Sequence, residues 1–321
     1  MTEKRIHKLT ANAFYSIMKE DTDESVVSLC FDLQQIQQLP KTNIQDAYYL
    51  KQFNFYSLSI TILDGLNSTF YTWAEELGGK GSTELSSALH CHLKKMDLEG
   101  KKTLRLFSDG CIAQNKNNIN LQMLLHFLYT TTSSIENILL YFPLRVHSFL
   151  PVDRVFGRAE KILRKNVTIT TKEQYYELYK KVGDVKISGT DWKLFNTKSL
   201  NVYLKNLPFI SELKRIVLDK SRESVKVNGF KNYYFEDRSE QSGAKLLKKG
   251  INAAIVKSVV LQSLPLSHGI SLDLKLMYGE QWQTEPDFNW HKDIITNNLP
   301  AGNEETEEVW DCLDEGIGLK I

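Results

Sequence analysis

The stretch Thr103 to Asn118, TLRLFSDGCIAQNKNN, constrains the fold most, because an apolar run ends on a carboxylate and then becomes polar and amide-rich. Its aliphatic and aromatic residues are typical of a buried strand, and Asp109-Gly110 is a dipeptide that ends strands in a turn. Leucines at helical spacing follow. Open α/β sheets bind ligands at the carboxyl ends of their strands. Asp109 is therefore a candidate site residue, although a lone Asp-Gly is more often only a turn.

Four other apolar runs fit a sheet around this strand. Ser25 to Asp32 has strand length and also ends on an aspartate. Phe55 to Leu63 and Thr69 to Trp73 have a hairpin pattern, and Ile135 to Val146 is the fifth strand. Short connections favour antiparallel pairing of the first three strands, and helical connections favour parallel pairing of the last two. The order β-β-β-α-β-α-β-α predicts an α/β protein with an RNase H-like, mixed five-stranded sheet flanked by helices.

In that fold the first strand, the fourth strand and the last helix bring acids to one point. This chain supplies Asp32 and Asp109 at the two strands, and Asp153 or Glu160 on the helix. The two helical acids share a face but are about 10 Å apart along the axis, so one metal position does not easily accommodate both. We expect Asp153 as the third ligand, with Glu160 as an outer or alternative catalytic acid. The alternative for Asp153 is a helix cap.

Converging carboxylates suit a hard divalent cation. Mg²⁺ and Mn²⁺ take oxygen ligands, and two such ions about 3.5–4 Å apart catalyse phosphodiester cleavage or strand transfer. The expected metal ligands are Asp32, Asp109 and Asp153, and a two-metal site is the expected form.

A basic face on the same predicted helix indicates a nucleic-acid partner. It comprises Arg154, Arg158, Lys161 and Lys165. Phosphate contacts from such side chains provide most of the affinity for nucleic acid. Asn115, from the polar loop after the central strand, is a further candidate for orienting the substrate, while helix capping is the alternative for the asparagines there. An ordinary solvated face is the alternative for the four cations.

Composition and charge divide the chain. The net charge is +1, but residues 301–321 carry seven acids against one lysine, which leaves +7 for the rest. We predict an N-terminal helix (1–24), the RNase H-like core (25–168), a basic α+β C-terminal extension (169–300) and an acidic tail (301–321). The tail could bind a protein partner. The four cysteines have neither disulfide nor zinc spacing, and no membrane segment is expected.

Several segments resemble a known family. They are SLCFDLQQ, AYYLKQFNFYSLSI, TFYTWAEELGGKGSTELSSALHCHL, LRLFSDGCIAQNKN and HSFLPVDRVFGRAEK. They resemble an uncharacterised transposon-derived domain family, multi-copy in arthropod genomes, that looks like a DDE-type transposase core. The resemblance extends from Ile6 to Trp192. It implies that Asp32, Asp109 and Asp153 occupy the acidic positions, whereas Glu160 has no matched assignment, and it implies a nuclear protein.

We therefore expect metal-dependent DNA strand cleavage or transfer of transposase origin. In members of the family a cysteine-rich region usually lies upstream of the segment matched here. A non-catalytic nucleic-acid-binding or interaction protein, a fragment or co-opted copy, is the main alternative. A nuclease that acts on RNA or hybrids is a third possibility, and homo-oligomerisation is left open.

Overall fold

A mixed β-sheet forms the centre of the computed structural model, which describes residues 3–20, 22–42, 52–63, 68–144, 149–221, 224–233 and 243–264. Nine strands are found in these ranges. They are β1 Val26–Leu33, β2 Gln37–Leu39, β3 Phe53–Ile62, β4 Ser68–Ala74, β5 Thr103–Phe107, β6 Asn137–Tyr141, β7 Asp184–Ile187, β8 Arg215–Ser221 and β9 Ser224–Phe230. Their spatial order is β7-β4-β3-β1-β5-β6-β8-β9, with β2 beside β3.

The five predicted strands correspond to β1, β3, β4, β5 and β6, and they form the RNase H-like centre of the sheet. β1 pairs antiparallel with β3 and parallel with β5, β3 pairs antiparallel with β4, and β6 continues parallel to β5. This confirms the predicted α/β class and both predicted pairing directions. The sheet is wider than five strands, because β2 adds to β3 and because β7, β8 and β9 extend both edges.

Helices cover both faces of the sheet. They are α1 Glu3–Lys19, α2 Ser82–Lys95, α3 Asn118–Thr130, α4 Pro151–Lys165, α5 Lys172–Lys180 and α6 Ala253–Ser258, with 3₁₀ segments at Thr197–Val202 and Ile210–Glu212. The core beneath α2 and α3 includes Leu29 and Phe31 of β1, whereas Cys30 packs with α1 and the start of α4. Since successive strand residues point to opposite faces, Asp32 lies on the same side as Cys30. No described helix has the length and apolar character needed to cross a membrane.

Glycine and proline lie at the starts of two helices. Helix α2 has Gly81 at its N-cap, and α4 begins at Pro151, since proline is well tolerated in a first helical turn. Asn228-Gly229, a dipeptide with the composition of a turn, lies inside β9, where Gly229 pairs with Ile216 of β8. A Cβ at Gly229 would lie 2.5 Å from Leu213 Cδ1, so this glycine permits close packing rather than a turn.

The segment predicted as a separate C-terminal extension contributes directly to the sheet. β7 pairs in parallel with β4, and β8 pairs antiparallel with β6. Helix α6, Ala253–Ser258, belongs to the same segment. The predicted acidic tail, residues 301–321, lies outside the described residues.

Candidate active site

Two carboxylates meet where the central parallel strands end. In the β1–β5 ladder, Cys30 pairs with Phe107, and Asp32 and Asp109 lie two residues further along their respective segments. Apolar residues bury both strands in the core, and the chain becomes polar where each strand ends. The carboxyl ends of neighbouring parallel strands thus bring together two acids that are 77 positions apart in the sequence.

Asn115 joins the two aspartates. Its side-chain nitrogen, Nδ2, donates to Oδ1 of Asp32 at 3.4 Å and also to Oδ1 of Asp109. Asp32 Oδ1 accepts a further hydrogen bond from the backbone N–H of Leu33 at 2.8 Å, and Asp109 Oδ1 accepts one from Cys111 at 3.2 Å. One amide therefore contacts both carboxylates, and neither carboxylate has a cationic partner among these contacts.

Asp153 lies in the first turn of α4, at the margin of this pair. Its Oδ2 accepts a hydrogen bond from the backbone N–H of Leu150 at 2.7 Å, so it also serves the helix start. Burial, followed by the negative charges of Asp109 and Asp153, raises the pKa of Asp32 well above its usual range. Burial and the charge of Asp109 likewise raise the pKa of Asp153. Asp109 is therefore close enough to both Asp32 and Asp153 to affect their ionisation.

Glu160 is not brought together with the three aspartates. It forms an ion pair with Arg164, one helical turn later, at 3.1 Å. Its charge contributes to raising the pKa of Tyr175 and of Tyr179 on α5, whereas the acids that act on Asp32 are Asp109 and Asp153. The helix therefore directs Glu160 toward α5.

The donor set at this point suits a hard cation in chemistry but is small. Two carboxylates converge, and carboxylate oxygens are ligands that Mg²⁺ and Mn²⁺ take, whereas the amide atom of Asn115 that faces them is the nitrogen Nδ2. A cation here would also offset the repulsion that raises the pKa of Asp32. Within the described ranges, however, no group of three or more His, Cys, Asp or Glu side chains is arranged to hold a metal ion.

The predicted basic face of α4 is exposed and borders a groove. The side chains of Arg154, Arg158, Lys161 and Lys165 are all exposed. A groove of about 1030 Å³ runs between the end of α1, the β1 and β3 strands and α4. Its charged lining residues are Lys19, Lys101, Arg154 and Arg158 against the acids Glu20 and Asp97. Sequence analysis did not find Lys19 and Lys101, because they belong to distant segments that only the fold brings beside α4.

The loop that carries Asn115 is fixed at several points. Asn117 caps α3 by accepting a hydrogen bond from the backbone N–H of Asn120 at 3.0 Å, as the capping alternative predicted. The Nζ of Lys116 donates to the carbonyl oxygen of Ser211 at 2.8 Å and lies 5.3 Å from the ring centroid of Phe142. Asn115 is therefore held on a rigid loop, with its amide directed at the aspartates.

Comparisons with known proteins give little further information. No family model matches this chain, and no curated protein sequence matches it. Two solved structures align loosely, "Crystal structure of NurA with manganese" (10% identity, 70% of this chain, TM-score 0.18) and "Crystal structure of NurA" (11% identity, 80% of this chain, TM-score 0.15). This chain spans about half the length of each, 50% and 53%. Similarity at this level carries no argument about function.

Proposed function

We propose that this protein is a metal-dependent enzyme of phosphodiester chemistry, a DNA strand-cleaving or strand-transferring protein of transposase origin. The single observation that carries the proposal is the contact of Asp32 and Asp109 with one buried amide at the ends of the two central strands. Two half-buried acids are costly to bring together without a function, because the charge of Asp109 adds to the cost of ionising Asp32.

In this proposal Asp32 and Asp109 hold Mg²⁺ or Mn²⁺, and Asp153 contributes at the margin of the site. A bound cation would stabilise charge on the phosphate and lower the pKa of an attacking water or hydroxyl. The chain itself supplies the ligands and fixes their positions through the two strands. Leu33 and Cys111 orient the carboxylates through their backbone N–H groups.

DNA is the proposed partner, and the nucleus is the proposed location. Arg154 and Arg158 line the groove beside α4, and Asp153 precedes them on the same helix. A strand whose phosphates contact this face would run along the first turns of α4, which carry Asp153, whereas Asp32 and Asp109 do not line the groove. Phosphate contacts of this kind position a nucleic acid without reading its sequence.

A non-catalytic nucleic-acid-binding protein is the second candidate. It is favoured by the absence, among the described residues, of a three-residue cluster of His, Cys, Asp or Glu that could hold a metal ion. In this case the fold and the basic groove would be retained while the acids no longer support turnover.

Nicking of supercoiled DNA by the full chain, with Mn²⁺ or Mg²⁺ and with EDTA as the blank, tests the proposal. The wild type should nick only with metal. Asp109→Asn should nick more than about 100-fold more slowly, a larger loss than is expected when a residue that only hydrogen-bonds to a metal ligand is changed. Asp219→Asn, an exposed aspartate on β8, is the matched control and should nick like the wild type. Retained DNA binding without metal-dependent nicking in the wild type would support the second candidate instead.

A further inference from the structure

The side chain of Asn115 has one amide end in use and the other without a partner. Asn115 is 1% exposed, and its Nδ2 donates to both aspartates. Its oxygen, Oδ1, is buried and has no hydrogen-bond partner in the part of the chain that the structure describes. A buried amide oxygen without a partner is uncommon and costs about 1–3 kcal/mol, so its retention needs a reason.

The backbone of Asn115 is fixed while its amide can turn. Its N–H donates to the carbonyl oxygen of Cys111 at 2.8 Å, and its own carbonyl oxygen accepts from Asn120 Nδ2 at 3.0 Å. The final side-chain torsion of asparagine is broad and roughly two-fold, and the amide nitrogen and oxygen are nearly equal in size. A half-turn therefore exchanges the two atoms without moving the loop.

The orientation that directs the Nδ2 of Asn115 at the two aspartates does not suit a bound cation. Two carboxylates that face each other need a positive group between them, and the N–H bonds of Asn115 supply a partial positive charge there. A cation shared by Asp32 and Asp109 would meet those same N–H groups and be repelled. In either orientation, the amide atom that faces away from the aspartates is buried without a partner. The orientation is therefore decided by the group that lies between Asp32 and Asp109.

We propose that Asn115 is a ligand of the cation in this site, and that its amide turns on metal binding so that Oδ1 replaces Nδ2 beside Asp32 and Asp109. Amide oxygens are ordinary ligands for hard divalent cations. The inference rests on the proposed function and adds a third oxygen ligand to it. With Asn115 as the third ligand, Asp153 is not required to hold the cation, and its Oδ2 accepts the hydrogen bond of Leu150 at the helix start.

Mn²⁺ affinity of the full chain, measured by titration calorimetry, separates the possibilities. Asn115→Leu removes both amide ends at similar size and should weaken Mn²⁺ binding by at least about tenfold. Asn115→Asp, which keeps an oxygen in place, should bind at least as tightly as the wild type. If Asn115 were only a hydrogen-bond donor that the cation must displace, Asn115→Leu would bind Mn²⁺ as tightly as the wild type or more tightly, and the inference would be overturned.

A second measurement does not depend on the Leu variant folding. In the wild type, the side-chain ¹H–¹⁵N signal of Asn115, identified by its loss in Asn115→Asp, should move upfield on adding Mg²⁺ as its bonds to the carboxylates are lost. An unmoved signal while the metal binds would overturn the inference alone. A wild type that binds no Mn²⁺ at millimolar concentration would instead overturn the proposed function, and this inference with it.

Discussion

Tyr179 on α5 donates its hydroxyl hydrogen to Oε1 of Gln34 at 2.6 Å, and both side chains are buried. Gln34 follows Asp32 by two residues, and its backbone N–H donates to the carbonyl oxygen of Ser57 on β3. One hydrogen bond thus links the segment after α4 to the chain immediately beyond the site.

Removing this hydroxyl should destabilise the protein. Tyr179→Phe keeps the ring against Phe55 and Phe70 but leaves the Gln34 amide oxygen buried without its donor. We expect a loss of about 1–3 kcal/mol in the free energy of unfolding, measured by urea titration. Tyr176→Phe is the control on the same helix, because the hydroxyl of Tyr176 has no hydrogen bond among the described residues. Equal losses in the two variants would contradict a specific role for the bond.

Asp32 should limit the stability of the metal-free protein. Its folded-state pKa is raised by burial and by Asp109 and Asp153, so at neutral pH its ionised form opposes folding. Asp32→Asn should therefore unfold at a higher temperature than the wild type at pH 7.5 without metal. The gap should narrow as the pH is lowered, because the raised pKa of Asp32 lets the folded wild type take up the proton more readily than the unfolded chain. The exposed Asp219→Asn should show neither effect.

Buried histidines should make the fold sensitive to mild acid. Burial lowers the pKa of His90 to about 3 and that of His92 to about 4. Between these values and about 6.5, the two histidines are protonated in the unfolded chain but neutral in the folded chain. The free energy of unfolding therefore falls as pH decreases. His126, whose ring centroid is 6.1 Å from that of His90, has a pKa lowered by burial in the same way.

Comparison of unfolding free energies at pH 7.5 and pH 5 measures this sensitivity. His90 and His92 should each cost about 2 kcal/mol over that interval, at about 1.4 kcal/mol per pH unit below 6.5. His90→Gln should remove one histidine's share of the loss. A His90 variant with the full wild-type loss would mean that His90 is charged in the folded protein.

The basic face of α4 should determine how DNA binding responds to salt. If Arg154 and Arg158 each contact a phosphate, changing both to Gln should weaken binding and reduce the slope of log K against log salt by about 2. Fluorescence anisotropy with labelled duplex, in steps from 50 to 200 mM salt, gives the slope. Lys248→Gln with Lys249→Gln, two exposed lysines outside α4, is the control of equal charge. Equal changes in the two double variants would indicate a nonspecific effect of net charge.

The five central strands could be predicted from the sequence because the patterns that indicate them are local. Each apolar run has strand length, and the acids at their ends follow from the pairing order. The edges were harder to predict. β2 is three residues long in a glutamine-rich segment, and β7 is four residues long with only two apolar residues. Asn228-Gly229 has the composition of a turn, although Gly229 packs closely against Leu213 within a strand.

The site divides in the same way. Asp32 and Asp109 could be paired from strand order, but the contact of Asn115 with both depends on the course of a loop, which no periodicity encodes. The same holds for Glu160. It shares a helical face with Asp153 in the sequence, yet it pairs with Arg164 and its charge acts on tyrosines of α5, which the sequence could not place.

The parallel pairing of β7 with β4 limits where this chain can be truncated, in a shortened gene copy or by design. Thr69 to Thr72 of β4 pair with Asp184 to Ile187, so the outer rim of the central sheet is closed by residues that follow α5. A copy truncated at residue 168 would expose the backbone of β4, and an open strand edge recruits strands from other molecules. Because β8 covers β6 on the other side in the same way, the smallest unit that keeps both β4 and β6 paired extends at least to Ser221.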